Sequence, residues 1–463
     1  MTVFSQSVGS LLSDFYRCSQ VGANFTLEAP LGPIAGYFRT KEGLIYYGRL
    51  SEAQPAATAN ATLPEACPQV SVEKKAICLP FDPAEVVANL RLEKYKADRA
   101  NTRENGGSLV RRLYYLLRPI MPVDVRKHLQ RLSLRGWDRI RFPHWPIDHS
   151  VDRLYEWLLA LAMEVERTTE IPFVWFWPEG YSSCASITHD VETSSGRDFC
   201  AQLMDLNDSY GIKTSFQVVP EERYEMSSAF LDSIRKRGFE INIHDLNHDG
   251  QLFRTREKFL ERVAKINQYG KEFKARGFRS AVLYRRLEWM NELDFAYDMS
   301  VPNVAHLDPQ RGGCCTVMPY FIGDLLEIPV TTTQDYSLFH ILGDYSMRIW
   351  EEQVATITQV HGMATFIIHP DYVIEHRARK TYEQLLSHLA DLRTNHNLWI
   401  AQPRDINKWW RARALMQLVH DGDTWRVEGT GSEHACVAYA RAEGNGIIYR
   451  VDQSANCCTS GVQ

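Results

Sequence analysis

Two histidines, His244 and His248, lie four residues apart in the stretch FEINIHDLNHDG, directly after a short apolar run that predicts a β-strand. Residues four apart are one helical turn apart, so both imidazoles could face a single metal ion. Surface helices also produce such pairs, and the pair alone is compatible with two ordinary polar residues. A carboxylate at the same place in the fold would favour the metal site.

Ionisable side chains accompany other strand-like runs in the same way. The stretch CASITHDVET ends a predicted strand with Asp190 and Glu192, and alternate residues of an extended chain point to the same side. Arg279 stands at the start of the run FRSAVLY, and His369 ends the run ATFIIHP. In parallel α/β folds the carboxyl ends of the strands share one rim, so we expect most of these groups to converge there.

One carboxylate and two imidazoles form a sound ligand set for a catalytic divalent metal with open positions for water. Such a metal lowers the pKa of its water and polarises an amide carbonyl. Asp190 could accept the proton of the water, and His369 could protonate the leaving amine. The chain has no G-x-S-x-G elbow that would indicate a serine nucleophile. The pattern therefore predicts metal-assisted hydrolysis.

The elements that must position these residues follow from the alternation of strand-like and helix-like segments. From about residue 170 onward this alternation continues for about 230 residues, which predicts a parallel α/β sheet or barrel. We expect three domains: a mixed α+β region over 1–150, the barrel over 151–410, and a small β appendage over 411–463. A helical pattern over about 81–132 is interrupted by Pro119 and Pro122.

Composition narrows the function classes. The chain has 463 residues, and its net charge of −5 gives no electrostatic argument for a nucleic-acid partner. Its ten cysteines form no CxxC pair, which favours free thiols in a reducing compartment. The N-terminus lacks the pattern of a secretory signal, and the longest apolar run, 157–163, is far too short to span a membrane. We expect a cytoplasmic protein with no membrane span, and leave oligomerisation open.

The motifs THDVE, HDLNH, FRSAV and FIIHP, in this order over about 172–410, resemble those of the polysaccharide deacetylase family, the NodB-homology hydrolases of the carbohydrate esterase family 4 type. The resemblance implies a distorted (β/α)7 barrel. It also implies removal of N-acetyl or O-acetyl groups from sugars by a divalent metal, commonly zinc. The expected partner is an acetylated carbohydrate or glycan precursor.

The resemblance also implies roles for individual residues. The metal ligands would be Glu192, His244 and His248. Catalysis would use Asp190 as base, His369 as acid and Arg279 to orient the base. The backbone N–H of Val282 would bind the oxyanion, and Ile367 would form the wall around the acetyl methyl group. Aromatic residues near the expected rim could pack on flat sugar faces: Trp175, Trp177, Tyr181, Tyr284, Trp289 and Tyr372.

The chain departs from the family pattern at two motifs. HDVE stands where two adjacent aspartates are common, and Ala281 and Val282 stand where proline and tyrosine are usual. Two alternatives therefore stay open beside the deacetylase. One is a hydrolase of another C–N bond, in a cyclic amide or ureide. The other is a carbohydrate-binding relative that has lost efficient chemistry.

Overall fold

The computed structural model describes residues 8–18, 21–40, 43–96, 134–422, 424–444 and 446–452. Most of the predicted helical region over 81–132, including Pro119 and Pro122, lies outside these residues. Among the described residues, no helix combines the length and the apolar character needed to cross a bilayer.

The described residues form nineteen β-strands: β1 (Asn24–Leu27), β2 (Gly36–Arg39), β3 (Ile45–Gly48), β4 (Gln69–Ser71), β5 (Ala76–Leu79), β6 (Glu170–Val174), β7 (Ser183–Val191), β8 (Ser215–Val218), β9 (Glu240–His244), β10 (Gly277–Arg279), β11 (Tyr297–Asp298), β12 (Tyr320–Ile322), β13 (Leu325–Glu327), β14 (Met363–Ile368), β15 (Leu398–Ile400), β16 (Gln417–Asp421), β17 (Thr424–Glu428), β18 (Val437–Glu443) and β19 (Gly446–Val451).

The same residues form nine α-helices: α1 (Val8–Tyr16), α2 (Pro83–Arg91), α3 (Ser150–Glu166), α4 (Ser194–Ser209), α5 (Ser228–Lys236), α6 (Arg256–Glu272), α7 (Arg348–Gln359), α8 (His376–Asn395) and α9 (Pro403–Leu415). Short helical turns occur at Lys94–Lys96, Trp137–Arg139, Pro178–Gly180, Ala281–Leu283, Leu287–Glu292, Ser337–Leu342 and Ser432–His434.

The largest sheet is a curled half-barrel of nine strands in the order β12-β13-β11-β10-β9-β8-β7-β14, with β15 also paired to β7. All its pairs are parallel except β12 with β13. Every residue of β7, β9 and β14 is buried, as expected for parallel strands covered on both faces. The predicted mixed α/β class with a parallel sheet is confirmed.

Side-chain caps begin the helices that follow the strands of this sheet. Thr193, Ser227 and Thr255 accept hydrogen bonds from the backbone of the first turns of α4, α5 and α6. Gly238 follows α5 with a φ of 81°, which lets the chain turn into β9. These local signals place each strand end next to a helix start.

Packing divides the described residues into two compact units. One contains those within 96–148 and 182–407, and it holds the nine-stranded sheet and all the predicted site residues. The other contains those within 1–95, 149–181 and 408–463. Within this second unit, β6 pairs with β18, and β18 pairs with β19. The domain boundaries predicted at residues 150 and 410 stay a prediction.

The second unit is held together around a buried arginine. Arg413 is 2% exposed and donates hydrogen bonds to the backbone oxygens of Phe15, Val174 and Trp175 at 3.0, 2.7 and 2.9 Å. Burial lowers the pKa of the Arg413 guanidinium to about 9. One side chain therefore satisfies the backbone of segments that are far apart in the sequence.

Candidate active site

The predicted residues lie at the carboxyl ends of neighbouring parallel strands. Asp190 is the penultimate residue of β7, and Glu192 is the first residue after this strand. His244 is the last residue of β9. Arg279 ends β10, and His369 follows β14. Arg279 was expected at the start of a strand; the chain instead turns at Ala281–Leu283 immediately after it. The five side chains therefore meet at one edge of the sheet.

A single carboxylate oxygen occupies the centre of this group. Glu192 Oε1 lies 2.8 Å from His248 Nε2, 3.3 Å from His369 Nε2 and 3.5 Å from His244 Nε2. The imidazole rings of His244 and His248 have centroids 4.8 Å apart. Burial opposes the charge of Glu192, but His248 and His369 outweigh it and hold the pKa of this carboxyl well below its usual range.

The two histidines come together through a loop and not through a helix. The prediction that they face one ion from successive turns of a helix is therefore wrong. His244 ends β9, and the backbone then enters the left-handed region at Asp245, with φ 57°, and at His248, with φ 55°. The Asp245 carboxylate accepts hydrogen bonds from the backbone N–H groups of Leu246 at 2.6 Å and Ala281 at 3.3 Å. These bonds stabilise a loop conformation that turns His248 back towards His244.

The donor set suits a divalent metal. Ligand atoms of Glu192, His244 and His248 all lie within 4.8 Å of one another, and so do those of Asp190, Glu192 and His369. His248 Nε2 is buried and lies 2.8 Å from Glu192 Oε1, but it makes no hydrogen bond within the described residues. A buried imidazole nitrogen without a hydrogen bond, beside a carboxylate and a second imidazole, is typical of a metal ligand.

Asp190 is held in its ionised form. Its Oδ1 accepts a hydrogen bond from Arg279 Nη1 at 2.7 Å, and its Oδ2 lies 3.7 Å from His244 Nε2. Arg279 is itself fixed because it also donates to Thr188 Oγ1 at 2.6 Å and to the backbone oxygen of Met299 at 3.0 Å. Burial raises the pKa of the Asp190 carboxyl, but the charges of Arg279 and His244 lower it further, and the net direction is downward.

His369 has a buried carboxylate partner that sequence reasoning missed. Asp335 accepts hydrogen bonds from His369 Nδ1 and from the His369 backbone N–H, both at 2.7 Å. Burial disfavours the imidazolium, but Asp335 and Glu192 outweigh it and raise the pKa of His369 well above its usual value. The available signal was an aspartate a few residues after the predicted strand LLEIPVT, at the same kind of position as the other site residues.

The expected substrate contacts lie around the same edge. Val282 has a φ of 59°, a strained conformation for a β-branched residue, in the turn after Arg279. Ile367 is 1% exposed and packs with Leu283 and Val330. Tyr284 is 8% exposed, and its ring approaches Gly250, two residues after His248. The roles predicted for these three residues stay predictions.

The aromatic residues expected at the rim do not all reach it. The Tyr372 ring lies with its centroid 4.6 Å from that of His369, so it borders the site. Trp175 and Trp177 are at most 1% exposed, in the core of the other unit, so they present no face to a sugar. Trp289 packs its ring against Phe259 at a centroid distance of 5.3 Å.

Comparison with known proteins gives three results. No protein-family model matches the chain, and no curated protein matches it. Solved structures do match, among them a Mycobacterium smegmatis protein assigned to the polysaccharide deacetylases, at 16% identity and a TM-score of 0.43, over 54% of this chain and 98% of that one.

Two further structures match over a similar part of the chain. The allantoinase PuuE matches at 12% identity and a TM-score of 0.40, over 51% of this chain and 92% of its own. A probable polysaccharide deacetylase from Pseudomonas aeruginosa matches at 14% identity and a TM-score of 0.40, over 51% of this chain and 93% of its own. The structural matches thus include the family that the four sequence motifs resemble.

Proposed function

We propose that the protein is a metal-dependent hydrolase that removes the acetyl group from an N-acetylated or O-acetylated sugar. The observation that supports it is the meeting of Glu192 Oε1 with three imidazole nitrogens beside an arginine-paired aspartate. We further propose that the nine-stranded sheet belongs to a distorted (β/α)7 barrel of the NodB type over 151–410.

Glu192, His244 and His248 would hold the metal, and zinc is the ion best suited to a set of two imidazoles and one carboxylate. When bound, a divalent metal lowers the pKa of a water and polarises the substrate carbonyl. The Nδ1 of His244 lies 3.2 Å from the backbone oxygen of Arg279. A hydrogen bond from Nδ1–H to that oxygen leaves Nε2 as the ligand atom, and orients the ring.

The chain supplies the proton transfers from opposite sides of the scissile carbonyl. Asp190 is the base, because Arg279 keeps it ionised and fixes the direction of its Oδ1. His369 is the acid, because Asp335 keeps it protonated and leaves Nε2 to face the leaving nitrogen or oxygen. The backbone N–H of Val282 donates to the oxyanion, and Ile367 and Tyr284 contact the acyl group and the sugar.

The proposal is tested by acetate release from a panel of acetylated sugars and sugar precursors, with the protein purified without chelator. A cyclic ureide and a cyclic amide are assayed beside them. We expect acetate release that stops when a chelator removes the metal, returns when Zn²⁺ is added back, and depends on His369. Ring opening without acetate release would favour the ureide or cyclic-amide alternative. Activity that is unchanged in His369→Ala would contradict the catalytic role of this histidine.

A further inference from the structure

A narrow pocket of about 20 Å³ adjoins the proposed active site. Its walls come from the turn after Arg279, from two loops of the sheet edge and from one segment upstream of the motifs: Trp145, Leu283, Pro302, Val304, Leu307, Asp308, Val330, Thr332, Thr333, Gln334 and Ser337. A cavity needs about 10–15 Å³ of this kind of volume to hold one water molecule. The pocket therefore has room for a group of about that size, such as one hydroxyl group of a substrate.

Two walls connect the pocket to the acyl side of the site. Leu283 and Val330 line it, and both pack against Ile367, two residues before His369. Gln334 and Ser337 line it from either side of Asp335, the partner of His369. A group that extends from the acyl carbon past Ile367 would therefore enter this pocket.

One hydroxyl group among the residues that line the pocket is uncommitted. Thr332 Oγ1 donates to the backbone oxygen of Thr365 at 2.7 Å, and Thr333 Oγ1 lies 3.2 Å from its donor, Gln353 Nε2. Ser337 Oγ is buried, in a residue that is 1% exposed, and has no hydrogen-bond partner within the described parts of the chain. A buried hydroxyl without a partner is costly unless a ligand satisfies it.

Trp145 gives the pocket a rigid wall that comes from outside the motif region. Its ring stacks on His306 at a centroid distance of 5.9 Å and meets the edge of Trp137 at 5.0 Å. On another wall, Gln334 Nε2 donates to Asp308 Oδ1 at 2.7 Å. Apolar walls together with one free hydroxyl group favour a ligand group that is short and carries a single polar atom.

We propose that this pocket binds a hydroxyl group on the acyl part of the substrate. The preferred substrate is then an amino sugar whose nitrogen carries a hydroxyacyl group, such as glycolyl, in an amide bond. This inference rests on the proposed hydrolase function. Hydrolysis of such an amide consumes one water and releases the amine and a hydroxy acid. Ser337 Oγ exchanges hydrogen bonds with the hydroxyl of the acyl group and acts as a specificity residue.

The first test compares two amides of one amino sugar, N-glycolyl and N-propionyl, which differ by a hydroxyl in place of a methyl group. We expect kcat/KM to be higher for the glycolyl amide, and Ser337→Ala to reduce the glycolyl-to-propionyl ratio about twofold to tenfold. Ser337→Leu, which fills the pocket, should slow both amides more than the acetyl amide. Ser209→Ala, an exposed serine on α4 of the same unit, should leave the ratio unchanged.

The second test needs no turnover. Binding of the neutral fragments glycolamide and propionamide is followed by saturation-transfer NMR in wild type and Ser337→Ala, whose folding is verified by thermal melting. Weaker glycolamide binding in Ser337→Ala than in wild type supports the proposed role of the pocket, whether or not any sugar amide is hydrolysed. Absence of sugar-amide hydrolysis would count only against the proposed function. Hydrolysis of the acetyl amide with no preference for glycolyl, together with equal glycolamide binding in both proteins, would contradict the proposed recognition of a hydroxyacyl group. It would not contradict the proposed hydrolase function.

Discussion

Replacing Asp335 by asparagine tests how the proposed acid is kept protonated. Asp335 is fully buried and accepts two hydrogen bonds of 2.7 Å from His369, one from the ring and one from the backbone. Asparagine keeps the shape of the side chain and one acceptor oxygen but removes the charge. The imidazolium of His369 therefore loses its closest fully buried counter-charge, and we expect its pKa to fall.

The size of the effect follows from that hydrogen bond. A hydrogen bond to a charged group contributes about 1.5–3 kcal/mol, and each 1.36 kcal/mol corresponds to a factor of ten. We expect kcat of Asp335→Asn to fall about 10-fold to 100-fold at neutral pH. Because the acid form of His369 is lost at lower pH, the alkaline limb of the kcat profile should move to lower pH.

The assay is the pH dependence of turnover on the best acetylated sugar, with metal content and melting temperature measured on the same samples. Asp391→Asn, an exposed aspartate on α8 that accepts a hydrogen bond from Asn395, is the matched control. Metal content should equal that of wild type, because Asp335 is not a proposed ligand. An unchanged kcat with an unchanged alkaline limb in Asp335→Asn would refute the role assigned to this carboxylate.

Two other predictions concern buried carboxyl groups. Asp190→Asn should keep the metal and lower kcat by about 10² to 10⁴, as measured by steady-state kinetics; wild-type turnover would show that another base acts. Burial raises the pKa of Glu240, which accepts hydrogen bonds from Tyr297 and Asn242, to about 7. Its contribution to stability is complete below about pH 4.5 and is lost as the pH rises through about 7, and this loss amounts to about 3 kcal/mol. Urea unfolding should show a smaller loss of stability over this pH range in Glu240→Gln, and equal slopes in both proteins would contradict the prediction.

The sequence predicts those parts of the site that depend on local signals. Asp190, His244 and His369 each follow an apolar run of strand length, and the carboxyl ends of parallel strands must lie at one edge. Strand–helix alternation and helix caps are equally local, so the mixed α/β class could be predicted. None of these inferences requires knowledge of which distant segments pair.

Asp335 could not be assigned a partner from the sequence because its position depends on a distant contact. Thr331 and Thr332 form hydrogen bonds of 2.7–3.2 Å with Thr365 of β14. This alignment of the two segments brings Asp335 next to His369. The pairing of β6 with β18 is similarly remote in sequence. Contacts of this kind leave no periodic pattern in either segment.

The loop between His244 and His248 shows a different limit. Its left-handed residues are Asp245 and His248, and no glycine marks either position. The conformation instead depends on hydrogen bonds of the Asp245 side chain, one of them to the turn after Arg279. The spacing of the histidines correctly indicated that their side chains lie together. It wrongly indicated a helix between them, where the structure has a loop.

The central claim is that Glu192, His244 and His248 hold one divalent metal ion, and elemental analysis of protein purified without chelator tests it most directly. We expect about one equivalent of metal, with zinc predominant, in wild type and almost none in folded His244→Ala. His434→Ala, an exposed histidine that pairs with Glu179, is the control and should retain the metal. A wild-type protein without metal, or His244→Ala with full metal content, would contradict the account.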